Sequence, residues 1–179
     1  SLELAKAADQ VAKDTVLEEA TRRVMSPKML CAFKDGTKTM VEMTAMSNYT
    51  GLIPDVIGGH GPKTAPGTEG VKELNDIFKL KEDGGILNKH GVVEYVNGIA
   101  PGVFVTVSTP NEEIAYQMGY HSMGPGPLWT LYRPFHLCNL ETPLTVAKAV
   151  IDGEVTCVPI DGLVSECITR AKIDLKAGQ

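Results

Sequence analysis

No stretch of the 179-residue chain runs 18 apolar residues without interruption, so nothing in it is long enough to span a bilayer as a helix. An excess of cations is missing too. Lys and Arg number 17 against 22 Asp and Glu, a formal charge of −5, whereas duplex binding rests on clustered cations that neutralise phosphates. Neither nucleic acid nor membrane is therefore expected as a partner. The four cysteines, Cys31, Cys138, Cys157 and Cys167, form no CxxC pair and have no histidine at finger spacing. That argues against a structural zinc site and favours buried free thiols in a reducing cytoplasm. Internal repeats and low-complexity segments are absent. The chain opens on Ser1-Leu2 without an initiator Met or an apolar leader, so it is expected to be a processed piece of a longer protein.

What is present is ordinary globular composition, 43% hydrophobic and 22% charged. A chain of this size buries roughly 70% of its unfolded surface and needs no disulfide or metal staple. The first third reads as helical, with Leu4, Ala7, Ala8 and Val11, then Leu17, Ala20 and Val24, at steps of three and four. Ser26-Pro27 marks a cap and first position for a short helix to Phe33, and Asp35-Gly36-Thr37 opens a longer one to Thr50, closed by Gly51. Residues 54–70 hold five glycines and three prolines, a long surface loop of the kind that carries function. A helix over 68–80 follows, with Val71, Leu74, Ile77 and Phe78 on its inner face.

The period then changes. Residues 92–96 and 103–107 are β-branched runs six residues apart, expected as an antiparallel pair, with a helix over 111–119 and a third strand at 128–132. Thr142-Pro143 reads as the cap and first residue of a helix that Gly153 stops, and short strands are expected at 156–160 and 166–173. The class is α+β: N-terminal helices, then a mixed, largely antiparallel sheet covered by helices on one face. The uncovered face would suit a homodimer.

Three groups of residues could carry chemistry. Asp35, Lys38, Glu42 and Tyr49 share a helical face. Such a set is either a solvated Lys–Glu stripe or a lysine with carboxylates able to move a proton or hold a divalent cation, with Asp35 and Glu42 as its ligands. Arg133, His136 and Asn139 fall within seven residues between a strand and a helix start, where an arginine can grip a carboxylate or phosphate, or simply pair with Glu141. Lys81, Glu82 and Asp83 precede a Gly-Gly pair that could order a substrate loop. His60, His90 and His121 stand alone and read as ordinary side chains. Gly59-His60-Gly61-Pro62-Lys63-Thr64 lacks the third glycine of a dinucleotide fingerprint and has proline where a P-loop needs glycine.

Three strings taken together resemble a known family: Asp35-Gly36-Thr37-Lys38-Thr39-Met40-Val41-Glu42-Met43, Lys81-Glu82-Asp83-Gly84-Gly85-Ile86-Leu87, and Tyr132-Arg133-Pro134-Phe135-His136-Leu137 running into Leu140-Glu141-Thr142-Pro143. They are similar to the central domain of homoserine-dehydrogenase-like NAD(P)-dependent oxidoreductases that carry a C-terminal SAF domain. That group includes the 1-deoxy-D-xylulose 5-phosphate reductoisomerase-like enzymes. The resemblance covers residues 16–178. It implies a substrate and catalytic domain over 16–165, set between an N-terminal helix with added residues (1–15) and the start of a SAF-like segment (166–179). It further implies NAD or NADP held by a separate Rossmann domain, with Asp35, Lys38 and Glu42 as cleft residues and Arg133 and His136 near the substrate. The expectation built on this is a small polar carbonyl or alcohol as substrate, with Lys38, Asp35 and Glu42 as catalytic residues. Arg133, His136, Asn139, Lys81, Glu82 and Asp83 would then bind substrate. A piece of this kind is expected to be inactive by itself. The competing expectation is a non-catalytic SAF-linked module that binds a sugar acid or a protein, or that dimerises.

Overall fold

The computed structural model describes residues 17–136, 138–160, 162–171 and 174–178. Five helices follow the helical stretch α1 (17–22): α2 (Pro27–Lys34), α3 (Thr37–Thr50), α4 (Thr68–Ile77), α5 (Glu112–Tyr120) and α6 (Cys138–Ala147). Between them lie four strands, β1 (Ile53–Pro54), β2 (Val92–Val93), β3 (Val103–Val107) and β4 (Trp129–Arg133). The α+β class holds. The described strands, however, form two separate two-stranded pairs rather than one mixed sheet.

Glycine sets the limits of α3. Gly36 and Gly51 both adopt the left-handed conformation, with φ +79° and +75°, which costs a residue without Cβ little. Asp35 thus lies before the helix, where its Oδ1 accepts the Thr37 amide at 2.9 Å. It is not a member of the Lys38–Glu42 face. Pro27 sits at the start of α2 as its fixed φ allows, although the Ser26 hydroxyl makes no capping bond. Ala20, Leu30 and Met25 close a small apolar cluster between α1 and α2.

The main core forms around α4. Leu74 and Phe78 from its inner face meet Leu87 and Ile99, with Val71, Ile77, Val92, Phe104 and Tyr132 packed around them. The Phe78 and Phe104 rings stack at 5.5 Å. Apolar side chains of this size each favour burial by about 1.5–3 kcal/mol, so this cluster holds α4 against the β3–β4 ribbon. That ribbon is antiparallel, with Val103 opposite Arg133 and Val107 opposite Trp129. Thr106 and Thr130 share a hydroxyl hydrogen bond of 2.8 Å across it.

The expected pairing of 92–96 with 103–107 is not found. β2 instead runs parallel to β1, Ile53 opposite Val92 and Pro54 opposite Val93. The chain rejoins the same neighbour at a parallel bridge between Lys63 and Asn97. Residues 55–62 therefore bow outward opposite only 94–96. Eight residues of the bow stand opposite three, so the ladder cannot continue in register, and the Glu94 and Tyr95 side chains contact that loop.

The C-terminal third departs furthest from expectation. Helix α6 begins at Cys138, so Pro143 lies inside it rather than at its first position. The carbonyl its ring leaves without an amide partner belongs to exposed Asn139, within reach of water. A π-helical turn over Lys148–Asp152 continues it to left-handed Gly153. No strand forms over 156–160 or 166–171, and residues 172–173 lie outside the described set. The backbone of this segment bonds to α3 instead. Asn48 accepts Val164 N and Ser165 N on its Oδ1 at 2.7 and 3.0 Å, donates Nδ2 to Ser165 O, and accepts Ile160 N on its own carbonyl. Cys31, Cys157 and Cys167 are free and exposed rather than buried, Cys157 and Cys167 because the tail that carries them is poorly covered.

Candidate functional site

The bow of residues 55–62 brings three titratable side chains together. His60 donates its backbone N–H to both carboxylate oxygens of Glu94, at 3.1 and 3.0 Å, and its Nδ1 lies 2.7 Å from Glu94 Oε1. An ionised carboxylate only accepts, so Nδ1 is the donor to Glu94. Nε2 points toward Asp55 Oδ2 at 3.5 Å. The carboxylates are inside the protein, with the Asp55 side chain 0% and that of Glu94 4% exposed, while His60 keeps 18% of its side chain in contact with solvent. The imidazole is thus the open end of an otherwise buried acid–base array.

Asp55 is anchored in turn. Its Oδ2 accepts the backbone N–H and the side-chain Nδ2 of Asn88, each at 2.9 Å, and Asn88 Oδ1 accepts Lys81 Nζ at 2.7 Å. Asp55 Oδ1 is buried with no hydrogen-bond partner, a costly condition for a carboxylate oxygen. Asp55, Glu94 and His60 do not make a metal site, because the two carboxylates take opposite nitrogens of one ring instead of converging on a point. Among the described residues no group of three His, Cys, Asp or Glu side chains is arranged to hold a metal ion. Asp35 and Glu42 consequently have no third ligand of that type beside them.

Tyr95 joins this array to the start of α3. Its ring lies over Gly59, whose Cβ, if present, would stand 3.0 Å from Cε1. A Cβ on Gly61, at φ +54°, would collide with the phenol oxygen. The same oxygen lies 3.8 Å from the corresponding point on Gly36. The two glycines that looked like half a phosphate loop therefore make room for a tyrosine ring.

Burial, and secondarily the charge of Glu94, raises the Tyr95 phenol above its ordinary value of 10.0. The folded state then holds this proton more tightly than the unfolded state. Stability present below about pH 10 is lost as pH rises from there through the raised value. Tyr95→Phe is expected to flatten that alkaline loss, seen by comparing urea midpoints of both proteins at pH 8 and above pH 10. An unchanged slope would contradict the buried phenol.

The residues expected from sequence fall into two places. Lys38 follows Gly36 by two positions and lies half-buried, its Nζ 4.1 Å over the Phe33 ring; Glu42, one turn on, is exposed. Lys81 enters the His60 array through Asn88, while Glu82 and Asp83 are exposed on a 3-10 turn (Lys81–Asp83). Arg133, His136 and Asn139 form a second group at the junction of β4 and α6. There Arg133 pairs with Glu141 and covers the Phe135 ring at 4.6 Å, which is the structural use of that arginine. The sequence alone does not single out His60. It is not an isolated histidine, and its partners stand 5 residues before and 34 residues after it, where no local spacing rule reaches. The only sequence signal is a histidine flanked by glycines.

Comparison with known proteins adds one result. No curated protein matches the chain. The family model described as oxidoreductase DRL, catalytic domain, matches residues 3–142. That span takes in the His60 array, Tyr95, Lys38, Lys81 and the Arg133 group. With well over half its length inside the match, the chain belongs to the family of oxidoreductase DRL catalytic domains.

Proposed function

We propose that the chain is the substrate-binding and catalytic domain of a homoserine-dehydrogenase-like, NAD(P)-dependent oxidoreductase acting on a small polar carbonyl or alcohol. The observation that carries this reading is His60, solvent-accessible and held between two buried carboxylates within the span that the oxidoreductase family covers. Oxidoreductase chemistry in this family calls for a nucleotide cofactor in general terms. The described residues do not fit a nucleotide grip, because Tyr95 fills the space above Gly59 and Gly61. They do not by themselves fit a cation site either. NAD or NADP belongs, on this reading, to a separate nucleotide-binding domain.

The chain's own residues handle the proton. Glu94 holds Nδ1 of His60 and Asp55 faces Nε2, so both carboxylates stabilise positive charge on the imidazole when it takes up a proton. Tyr95, kept as a neutral phenol, donates from beside the first turn of α3. Lys38 in that turn exchanges a proton with the substrate oxygen, with Glu42 one turn on as the nearby carboxylate. Lys81, Glu82, Asp83, Arg133, His136 and Asn139 contribute the polar surface for the substrate. The enzyme is cytoplasmic on this reading; among the described residues no helix is long and apolar enough to cross a membrane.

The test is a nicotinamide-turnover assay on the full-length oxidoreductase with a panel of small polar ketones, aldehydes and alcohols. Wild-type protein is expected to turn over, and Lys38→Ala to lose about 10²–10⁴-fold in kcat. Full turnover by that variant removes Lys38 from the mechanism. Absence of nicotinamide turnover from every wild-type reaction would favour a binding module instead.

A further inference from the structure

The Gly84-Gly85 pair closes a turn that sets Asn88 beside Lys81. A Cβ on Gly85 would collide with the Lys79 carbonyl, so only glycine lets the chain fold back this closely. The returning segment is bonded from the Leu87 amide to Lys79 O at 3.1 Å, and from the Lys81 amide to Leu87 O at 2.8 Å. Leu87 itself is buried in the main core, so the residue after it is held in place. That residue is Asn88, and its side chain joins two groups of opposite kind. Its Oδ1 accepts Lys81 Nζ at 2.7 Å, and its Nδ2 donates to Asp55 Oδ2 at 2.9 Å. An ammonium only donates and an ionised carboxylate only accepts, so a single orientation of the amide satisfies both. The Asn88 backbone N–H meets the same Oδ2 at 2.9 Å. Among the described residues both hydrogen bonds to the Asp55 carboxylate therefore come from Asn88, and Oδ1 has no partner.

We propose that Asn88 is a positioning residue of the His60 site, setting through Asp55 the charge that faces the imidazole. The inference rests on the reading of His60 as the group that handles the proton. No hydrogen bond joins Asn88 to the ring. Its effect passes through Asp55, whose side chain is 0% exposed and whose Oδ2 lies 3.5 Å from His60 Nε2. Two N–H donors on that oxygen hold the carboxylate in place and draw part of its charge away from the imidazole. Lys81 spends one of its three donors on fixing the amide and keeps two. The other charged group at the ring is Glu94, on the opposite nitrogen. The Gly-Gly turn thus serves the acid–base array from behind rather than forming a loop over the substrate.

Removal of the side-chain amide tests this without changing the charge. In Asn88→Ala the backbone N–H of residue 88 stays, while Asp55 loses one donor and holds a proton on His60 more strongly. Imidazole nitrogen resonances of isotope-labelled full-length protein, assigned with His60→Ala, are expected to titrate at higher pH in Asn88→Ala than in wild type. In an Asp55→Asn background the same substitution is expected to leave the titration where it was. In the nicotinamide assay kcat of Asn88→Ala is expected to fall about 10–100-fold, with KM within about twofold. A titration that stays or moves to lower pH in Asn88→Ala overturns the proposal. So does an equal shift in the Asp55→Asn background, or a wild-type kcat. A residue that served stability alone would lower the melting temperature without moving the titration. Should wild type turn over no nicotinamide, the proposed function fails and the titration still decides the role of Asn88. Should Asp55→Asn not fold, the titration of the single variant decides.

Discussion

Alanine in place of His60 is expected to lower kcat of the full-length oxidoreductase by about 10²–10⁴-fold, with KM changed far less. The direction follows from how the imidazole is held. Two buried carboxylates face its two nitrogens, so the ring is fixed in orientation before any substrate arrives. A group prepared in this way contributes most where a proton moves, in the transition state rather than in ground-state binding. Glu94→Gln is the companion variant. It keeps the shape of the side chain but removes the anionic acceptor that fixes Nδ1 as donor, so kcat should fall and the pH profile of kcat/KM should shift. A structural role alone predicts a different outcome, in which His60→Ala melts at lower temperature while the remaining folded enzyme turns over normally. Steady-state kinetics alongside thermal melting separates the two.

Leu74→Ala is expected to destabilise the domain by about 2–5 kcal/mol, the cost of opening a cavity at a closely packed position. Leu74 is 0% exposed and lies at the centre of the cluster with Phe78, Leu87 and Ile99. Domains of this size are stable by only about 5–15 kcal/mol, so the melting temperature should fall by roughly 5–20 °C. The loss should reach the candidate site as well. Leu87 accepts the Lys81 amide at 2.8 Å, and Lys81 leads through Asn88 to Asp55. Calorimetry showing a loss below about 1 kcal/mol would mean that the α4 cluster is not the principal core.

Sequence reading and structure agree where the signal is local. Glycines at 36 and 51 bound α3, α5 forms where the sequence places a helix over 111–119, and the apolar period of α4 puts Leu74 and Phe78 inside. Each of these depends on residues within a turn or two. Disagreement begins where a partner comes from far along the chain. Residues 92–96 have the composition of a full strand, yet only Val92 and Val93 pair, because Glu94 and Tyr95 are drawn to the 59–61 loop by contacts that β-propensity does not encode. The tail at 156–160 and 162–171 has similarly suitable residues but no described strand, and its backbone bonds to the Asn48 side chain instead. The candidate site divides in the same way. Lys38 and Lys81 belong to recognisable strings, whereas Asp55, His60 and Glu94 acquire their relation only when β1 and β2 lie side by side.

The attachment of the tail to Asn48 also bears on the order and rate of folding. The amide of Asn48 and its partner at Ser165 are separated by 117 positions, so closing this contact costs chain entropy that the helices and the β3–β4 ribbon need not wait for. The nucleus is expected to assemble with the Asn48 side chain still hydrated, the tail arriving afterwards. Interactions formed on the native side of the barrier slow unfolding and leave folding speed nearly unchanged. One asparagine at the end of a helix thereby acts on the lifetime of the folded state rather than on the speed with which it is reached.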